Sequence, residues 1–325
     1  MTQTPANAPT GRRAGTWAAL LVVWVFWGGT YVAIRIADYQ IPPLLLAAVR
    51  YLIAGAVLYA AVWLAGRRRR RRPRHSPGPR QWAGMAVVGT MLMAFGNGGV
   101  CYAERTLPAG LAALLMASVP LWMALADRVI NKRRIGALGW AALVVGLAGI
   151  GVLARPSGHG DAIAIAIVLA ASVSWALGSV LSGRLPAPGN PLLGSAMEML
   201  TGGAVLVGLA AADGELTHFD PGQVGTSSLL ALLYLIGPGS VLTLTCYVIA
   251  LRGLPTAQVS TYAYVNPVVA VSLGALLLGE RLTLPVAAGG GIVVVAVALL
   301  LGNRASAAAA ENPVKADDYD TMLTS

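Results

Sequence analysis

The residues able to do chemistry are few, and most lie inside apolar stretches. Arg50 stands seven residues after Pro43, and Glu198 stands seven residues after Pro191. At 1.5 Å per helical residue each would sit about 10 Å deep in an apolar segment. Charges at such depth are costly and normally face a cavity or a partner. Arg50 and Glu198 would enter from opposite faces, so their heights differ by about 10 Å in a core about 30 Å thick. A direct ion pair between them is therefore not expected. Glu104, near the end of its segment, is the expected partner for Arg50, while Glu198 is the candidate protonatable or cation-recognising group. Arg35, near a segment end, is expected to snorkel to the interface.

A second set is aromatic or amide in type. Trp27 and Tyr31 flank Gly28-Gly29, Asn97 lies between Gly96 and Gly98 and is followed by Tyr102, and Trp175 stands alone in its segment. Tyr262, Tyr264 and Asn266 precede Pro267. An amide inside an apolar helix needs a hydrogen-bonding partner, which a hydrated cavity supplies. Pro120, Pro238 and Pro267 each remove a backbone donor and are candidate hinges.

Other chemistries are not encoded. His75, His159 and His218 are the only histidines and fall between apolar segments, so a buried Ser–His pair has no histidine to use. The chain has no GxxxxGK phosphate loop, no HExxH and no CxxC, and its cysteines, Cys101 and Cys246, are isolated in apolar surroundings. The sequence therefore predicts no catalytic residues, metal or cofactor, with proton coupling left open.

The elements that must hold these residues follow from composition. The chain has 325 residues, 57% hydrophobic and 11% charged, whereas soluble domains run near 45–50% apolar and about 25% charged. Ten continuous apolar segments cover roughly 17–37, 43–65, 82–104, 109–127, 136–154, 162–183, 191–211, 227–251, 256–279 and 283–302. Each is about 20 residues long without strict alternation, so each reads as a transmembrane helix rather than a barrel strand. Residues 1–15 and 303–325 read as disordered tails. With the N-terminus inside, eighteen Lys and Arg residues outside the segments fall on the cytoplasmic side and three outside it. The net charge of +10 is thus spent on orientation and on lipid headgroups, not on nucleic acid. The run Arg67 to Arg72 with Arg74 is read the same way.

The chain also repeats. At an offset of 148, Pro43-Leu44-Leu45 meets Pro191-Leu192-Leu193, Gly55 meets Gly203, and Trp27 meets Trp175. At 147, Arg105, Leu107 and Pro108 meet Arg252, Leu254 and Pro255, and Pro120 meets Pro267. Each unit holds five segments, an odd number, so the second copy is inverted in the membrane. The units are 16–154 and 155–302. Inverted repeats around a midplane site are the architecture of alternating-access carriers.

Several segments carry a family likeness: Trp27-Gly28-Gly29-Thr30-Tyr31, Arg50-Tyr51-Leu52, Gly96-Asn97-Gly98 with Ala103-Glu104, Ser174-Trp175-Ala176, Ala196-Met197-Glu198, and Ser260 through Ala270. Across about residues 17–302 the chain resembles the EamA family of the drug/metabolite transporter superfamily, in its YedA-type branch. That resemblance implies ten helices in two inverted five-helix repeats, cytoplasmic termini, and a central cavity lined by spans one to four and six to nine. It also implies export of small organic metabolites or drugs across a bacterial inner membrane. The expected binding residues are Trp27, Tyr31, Arg50, Asn97, Tyr102, Trp175, Glu198, Tyr262, Tyr264 and Asn266. A membrane-embedded lipid-handling enzyme and a channel are the alternatives. The expected partners are a small organic solute and membrane lipids, and monomer and dimer both stay open.

Overall fold

The computed structural model describes residues 10–68, 76–132, 134–153 and 162–310. The arginine run from position 69 onward and the outermost parts of both expected tails lie outside the described residues. All regular structure among the described residues is helical. The ten principal helices are α1 (Thr10–Ala37), α2 (Pro43–Arg68), α3 (Pro79–Ala103), α4 (Ala109–Ile130), α5 (Ala137–Leu153), α6 (Ala162–Ser182), α7 (Pro191–Ala212) and α8 (Thr226–Gly253), then α9 (Tyr262–Leu278, preceded by the turn of helix Thr256–Val259) and α10 (Leu284–Ala310). Eight of them are long and apolar enough to cross a bilayer, and α5 and α9 are shorter apolar helices. Both terminal helices reach into the stretches expected to be tails. The fold is all-α, with ten spans in two inverted five-helix repeats.

The packing shows the inversion directly. α2 lies against α7 and α5 against α10, so both self-equivalent pairs straddle a pseudo-twofold axis. α1 packs against α8 and α9, and its counterpart α6 packs against α3 and α4. Side chains obey the same operator. A Cβ on Gly55 would stand 3.0 Å from Leu200, and a Cβ on Gly203 would stand 3.0 Å from Leu52. The offset of 148 converts one contact into the other. Membrane helices gain little from apolar transfer between lipid and protein, so such close approaches at small residues provide the packing.

Both repeats interrupt their third helix in the same place. α3 widens into a π-helical segment over Thr90–Asn97, and α8 does so over Gly237–Leu242. Their starting residues are 147 apart, the offset found in the sequence. α4 breaks at Ala117-Ser118 just before Pro120, and α9 breaks at Ser260-Thr261. Pro267 lies inside the unbroken part of α9, so of the three prolines only Pro120 and Pro238 sit at interruptions.

The two ends of the bundle are fastened differently. At the end that carries Asp38, Glu215 accepts hydrogen bonds from the backbone nitrogens of Leu44 (3.2 Å) and Leu45 (2.8 Å) at the start of α2. Glu280 accepts from Ala109 (2.7 Å) and Gly110 (3.0 Å) at the start of α4. Carboxylates suit helix N-termini because the first N–H groups have no intrahelical partner and carry the positive end of the dipole. Both carboxylates come from the second repeat and cap helices of the first. At the opposite, arginine-rich end, among the described residues α7 is capped by its own Asn190, through a 3.1 Å bond from Leu192 N.

The tightest backbone contact joins α3 and α7. A Cβ on Gly202 would lie 2.4 Å from the carbonyl oxygen of Gly89, whereas one on Gly208 of the same helix would meet nothing within 4 Å. Gly202→Ala should therefore lower the melting temperature of the purified protein, at a cost of about 1–3 kcal/mol. Gly208→Ala should leave it unchanged or slightly raised, and equal melting of the two variants would contradict this packing.

Candidate functional site

Two side-chain groups occupy the middle of the bundle. The first is built on Arg50 of α2, which is 3% exposed. Its Nε donates to Ser240 Oγ (2.9 Å), one Nη to Asn97 Oδ1 (3.2 Å) and the other to the Gly239 carbonyl (3.4 Å). Its guanidinium also lies over the Tyr51 ring, 4.9 Å from the centroid. Asn97 closes the α3 π-segment, while Gly239 and Ser240 belong to that of α8. A single cation therefore ties the two equivalent interruptions together. The wider π turn makes this feasible, because it frees carbonyls from the regular ladder. Ser240 Oγ donates to Leu235 O (2.8 Å) and Thr243 Oγ1 to Pro238 O (2.6 Å), covering acceptors that the segment releases.

This corrects one expectation. No ion pair forms between Arg50 and Glu104, and both carboxylate oxygens of Glu104 are buried without a hydrogen-bonding partner. Arg35 does not simply snorkel either: its guanidinium donates to the backbone carbonyl of Glu104 and lies 5.6 Å from the Tyr39 ring centroid. The reason is geometric. Arg50 reaches across the bundle to Gly239 O and Ser240 Oγ of the α8 π-segment and Asn97 Oδ1 of the α3 π-segment, so three of its donors are engaged away from Glu104.

The second group is aromatic and lies where α1, α8 and α9 meet. The Trp27 ring is 5.4 Å from Tyr247 and 5.2 Å from Tyr262, and Tyr247 meets Tyr262 edge-on at 5.8 Å. Trp24 Nε1 donates to Thr261 Oγ1 (3.1 Å) at the break in α9. The Asn266 amide, with nitrogen facing the carbonyls, lies 3.2 Å from Trp24 O and 3.3 Å from Tyr262 O. Tyr31 stands between the groups, within electrostatic range of Arg50 and Glu104 on one side and of Tyr262 on the other.

Of the ten expected residues, the structure gathers Trp27, Tyr31, Arg50, Asn97, Tyr262 and Asn266. Trp175 packs against Gly96 of the α3 π-segment, where an added Cβ would be 2.9 Å from its ring. Tyr264 turns instead toward the apolar cluster around Leu115 and Val168. Tyr102 faces Arg105, whose guanidinium lies 5.4 Å from its ring centroid. The half-buried Glu198 shares no hydrogen bond through its carboxylate with the described residues. The sequence reading missed Tyr247, Gly239 and Ser240. Pro238 between two glycines marked the segment but not which side chain it would receive.

Beside these groups, at the Asp38 end, Asp38 is half-buried with one carboxylate oxygen unpartnered. Burial raises it from 3.8 to about 7; Arg105 and Arg35 oppose that rise and Glu215 adds to it. Glu215 itself is raised by burial, against the pull of the Leu45 and Leu44 N–H bonds.

The EamA-like transporter family model matches twice, over residues 15–155 and 162–302. The "uncharacterized inner membrane transporter YedA" of Escherichia coli K12 is 37% identical over 270 residues, covering 82% of this chain and 83% of that protein. A "probable amino-acid metabolite efflux pump" of Salmonella typhimurium LT2 is 27% identical over 286 residues, covering 83% and 89%. One solved crystal structure shares the fold, with a TM-score of 0.59 at 21% identity over 91% of this chain and 99% of that one.

The Asp38 environment gives a pH dependence. An acid whose folded value lies above its unfolded one binds more protons when folded, so its contribution is full below about pH 4 and is lost as pH rises through about 7. The thermal midpoint of the purified protein should fall between about pH 5 and about pH 8. Asp38→Asn should make that fall shallower, and identical slopes for the two proteins would refute the assignment.

Proposed function

The chain belongs to the EamA-like transporter family, and we propose that it is a carrier exporting a small organic solute by alternating access. One observation carries the reading. The same backbone interruption occurs at equivalent places in two inverted repeats, and a buried cation from a neighbouring helix joins them. Discontinuous helices meeting near the centre of inverted repeats are what a site open alternately to either side requires.

In this reading the arginine-rich end and both termini are cytoplasmic and the Asp38 end faces outward. The distribution of Lys and Arg supports that orientation. The relative named as an inner membrane transporter supports the same membrane, and the one named as an efflux pump supports the outward direction. Trp27, Tyr247 and Tyr262 would supply an aromatic wall, with Asn97, Asn266 and Tyr31 as hydrogen-bonding groups. Arg50 and Glu198 would recognise opposite charges on the solute. Trp175, Tyr264 and Tyr102 would act at the margins, since each already faces other side chains.

Cells lacking the protein and cells overproducing it should differ in the internal level of at least one small organic solute, raised in the first and lowered in the second. Trp27→Ala should reduce its efflux by about tenfold, equivalent to roughly 1.4 kcal/mol, at unchanged protein abundance. If only lipid species change, or no solute responds, the carrier reading fails. For sidedness, in a Cys101→Ala, Cys246→Ala background, an impermeant thiol reagent applied to intact cells should label Tyr39→Cys and spare Lys132→Cys. The reverse pattern would invert the orientation.

A further inference from the structure

Glu104 is the most confined carboxyl group among the described residues. It is 0% exposed, and neither oxygen has a hydrogen-bonding partner. It caps α3 through its backbone, its N–H bonding to Val100 O at 3.0 Å. Its carbonyl, not its carboxylate, receives the Arg35 guanidinium. Arg50, the other cation within range, spends its three hydrogen bonds on Ser240, Asn97 and Gly239. The remaining groups that act on Glu104 are Asp38 in the α1–α2 connection, Glu280 beyond α9, Tyr31 on α1 and Cys101 on its own helix. Two of those are acids, and Glu280 is engaged at the start of α4.

An ionised carboxylate sealed from water with no donor is among the most costly arrangements in a protein interior, whereas the neutral acid tolerates it. We propose that Glu104 is a proton-binding site that locks the Asp38 end of the carrier shut: this end closes only when Glu104 binds a proton. On opening, water reaches the carboxyl group. Its O–H bond breaks, the proton passes to water as hydronium, and the electron pair stays on the carboxylate. Arg35, released from the Glu104 carbonyl, then has a charged partner one atom group away. Closing reverses each step with a proton drawn from the same water. The proton therefore returns to the side it came from, and outer pH sets the balance between closed and open forms. This rests on the carrier reading and on the outward orientation of the Asp38 end.

Two measurements test it. Infrared spectra of the purified protein in lipid near neutral pH should contain the C=O stretch of a protonated carboxyl group, shifted in heavy water. In an Asp38→Asn background, which removes the neighbouring carboxyl group that titrates at about 7, Glu104→Gln should remove that band and Glu198→Gln should keep it, which preserves the assignment should the first variant not fold. The second measurement uses Cys101, fully buried and three residues before Glu104, in a Cys246→Ala background. Its labelling by an impermeant maleimide on intact cells reports opening of this end. The ratio of wild-type to Glu104→Gln rate should rise by up to about tenfold per pH unit, the linkage of one proton, because thiol ionisation cancels in the ratio. A missing band, or a band that survives Glu104→Gln, overturns the proton site and leaves the carrier reading standing. A flat ratio, including sodium-dependent but pH-independent labelling, overturns the lock. Labelling of neither protein at any pH overturns both lock and carrier.

Discussion

Everything at the centre of this bundle depends on how a guanidinium is kept in a place that water does not reach. Removing a cation from water is repaid only when its donors meet acceptors in good geometry. Regular helices cannot provide that, because their carbonyls are committed to the ladder. The two π-segments bring one backbone acceptor, Gly239 O, and two side-chain acceptors, Ser240 Oγ and Asn97 Oδ1, onto one side chain. Backbone irregularity and buried charge therefore support each other here, and removing either leaves the other uncompensated.

The repeats share a backbone plan but not its fastenings. If they were identical in sequence, each arrangement of the bundle would have an inverted twin of equal energy. Side chains break that equality. Glu215 and Glu280 latch the second repeat onto helix starts of the first at the Asp38 end, while among the described residues α7 at the other end is capped by its own Asn190. Such differences in contact free energy decide which of two related states is populated. At the Asp38 end Glu104 and Glu215 are both buried.

Much of the architecture was legible because it depends on quantities that sequence carries directly. Segment length gave the spans, and the offset of 147 to 148 gave the repeat, which the π-segments at 90 and 237 then reproduced. Gly55 and Gly203 were visible as a matching pair, and the structure shows them as the mutual contact of α2 and α7. The partners of Arg50 were not legible. Reading depth along one helix placed Glu104 at a suitable height, but height says nothing about which way a long side chain reaches across a bundle. The π turns have no local signature beyond a proline between glycines in α8 and none in α3. Glu215 and Glu280 sit in connections that composition marks only as polar, and their role exists only once a distant helix start is placed beside them. Tyr247 was one aromatic in an apolar segment until α1 and α9 supplied its neighbours.

The two central groups are not independent, because α1 belongs to both. Trp27 contributes to the aromatic group, Thr30 Oγ1 bonds back to Trp27 O at 2.6 Å, and the Thr30 methyl would stand 3.0 Å from a Cβ on Gly239. Four residues further along from Tyr31, Arg35 holds the Glu104 carbonyl. A helix transmits displacement along its axis with little loss, since its hydrogen bonds resist bending on the scale of one or two turns. A rigid shift of α1 that parted Trp27 from Tyr262 would also act on the contact with Gly239 and the hold on Glu104. The helix that would feel a solute against its aromatic face is thus also the one that holds the Glu104 carbonyl at the Asp38 end. Coupling between the two needs no chain of intermediates, because a single rigid element carries both contacts.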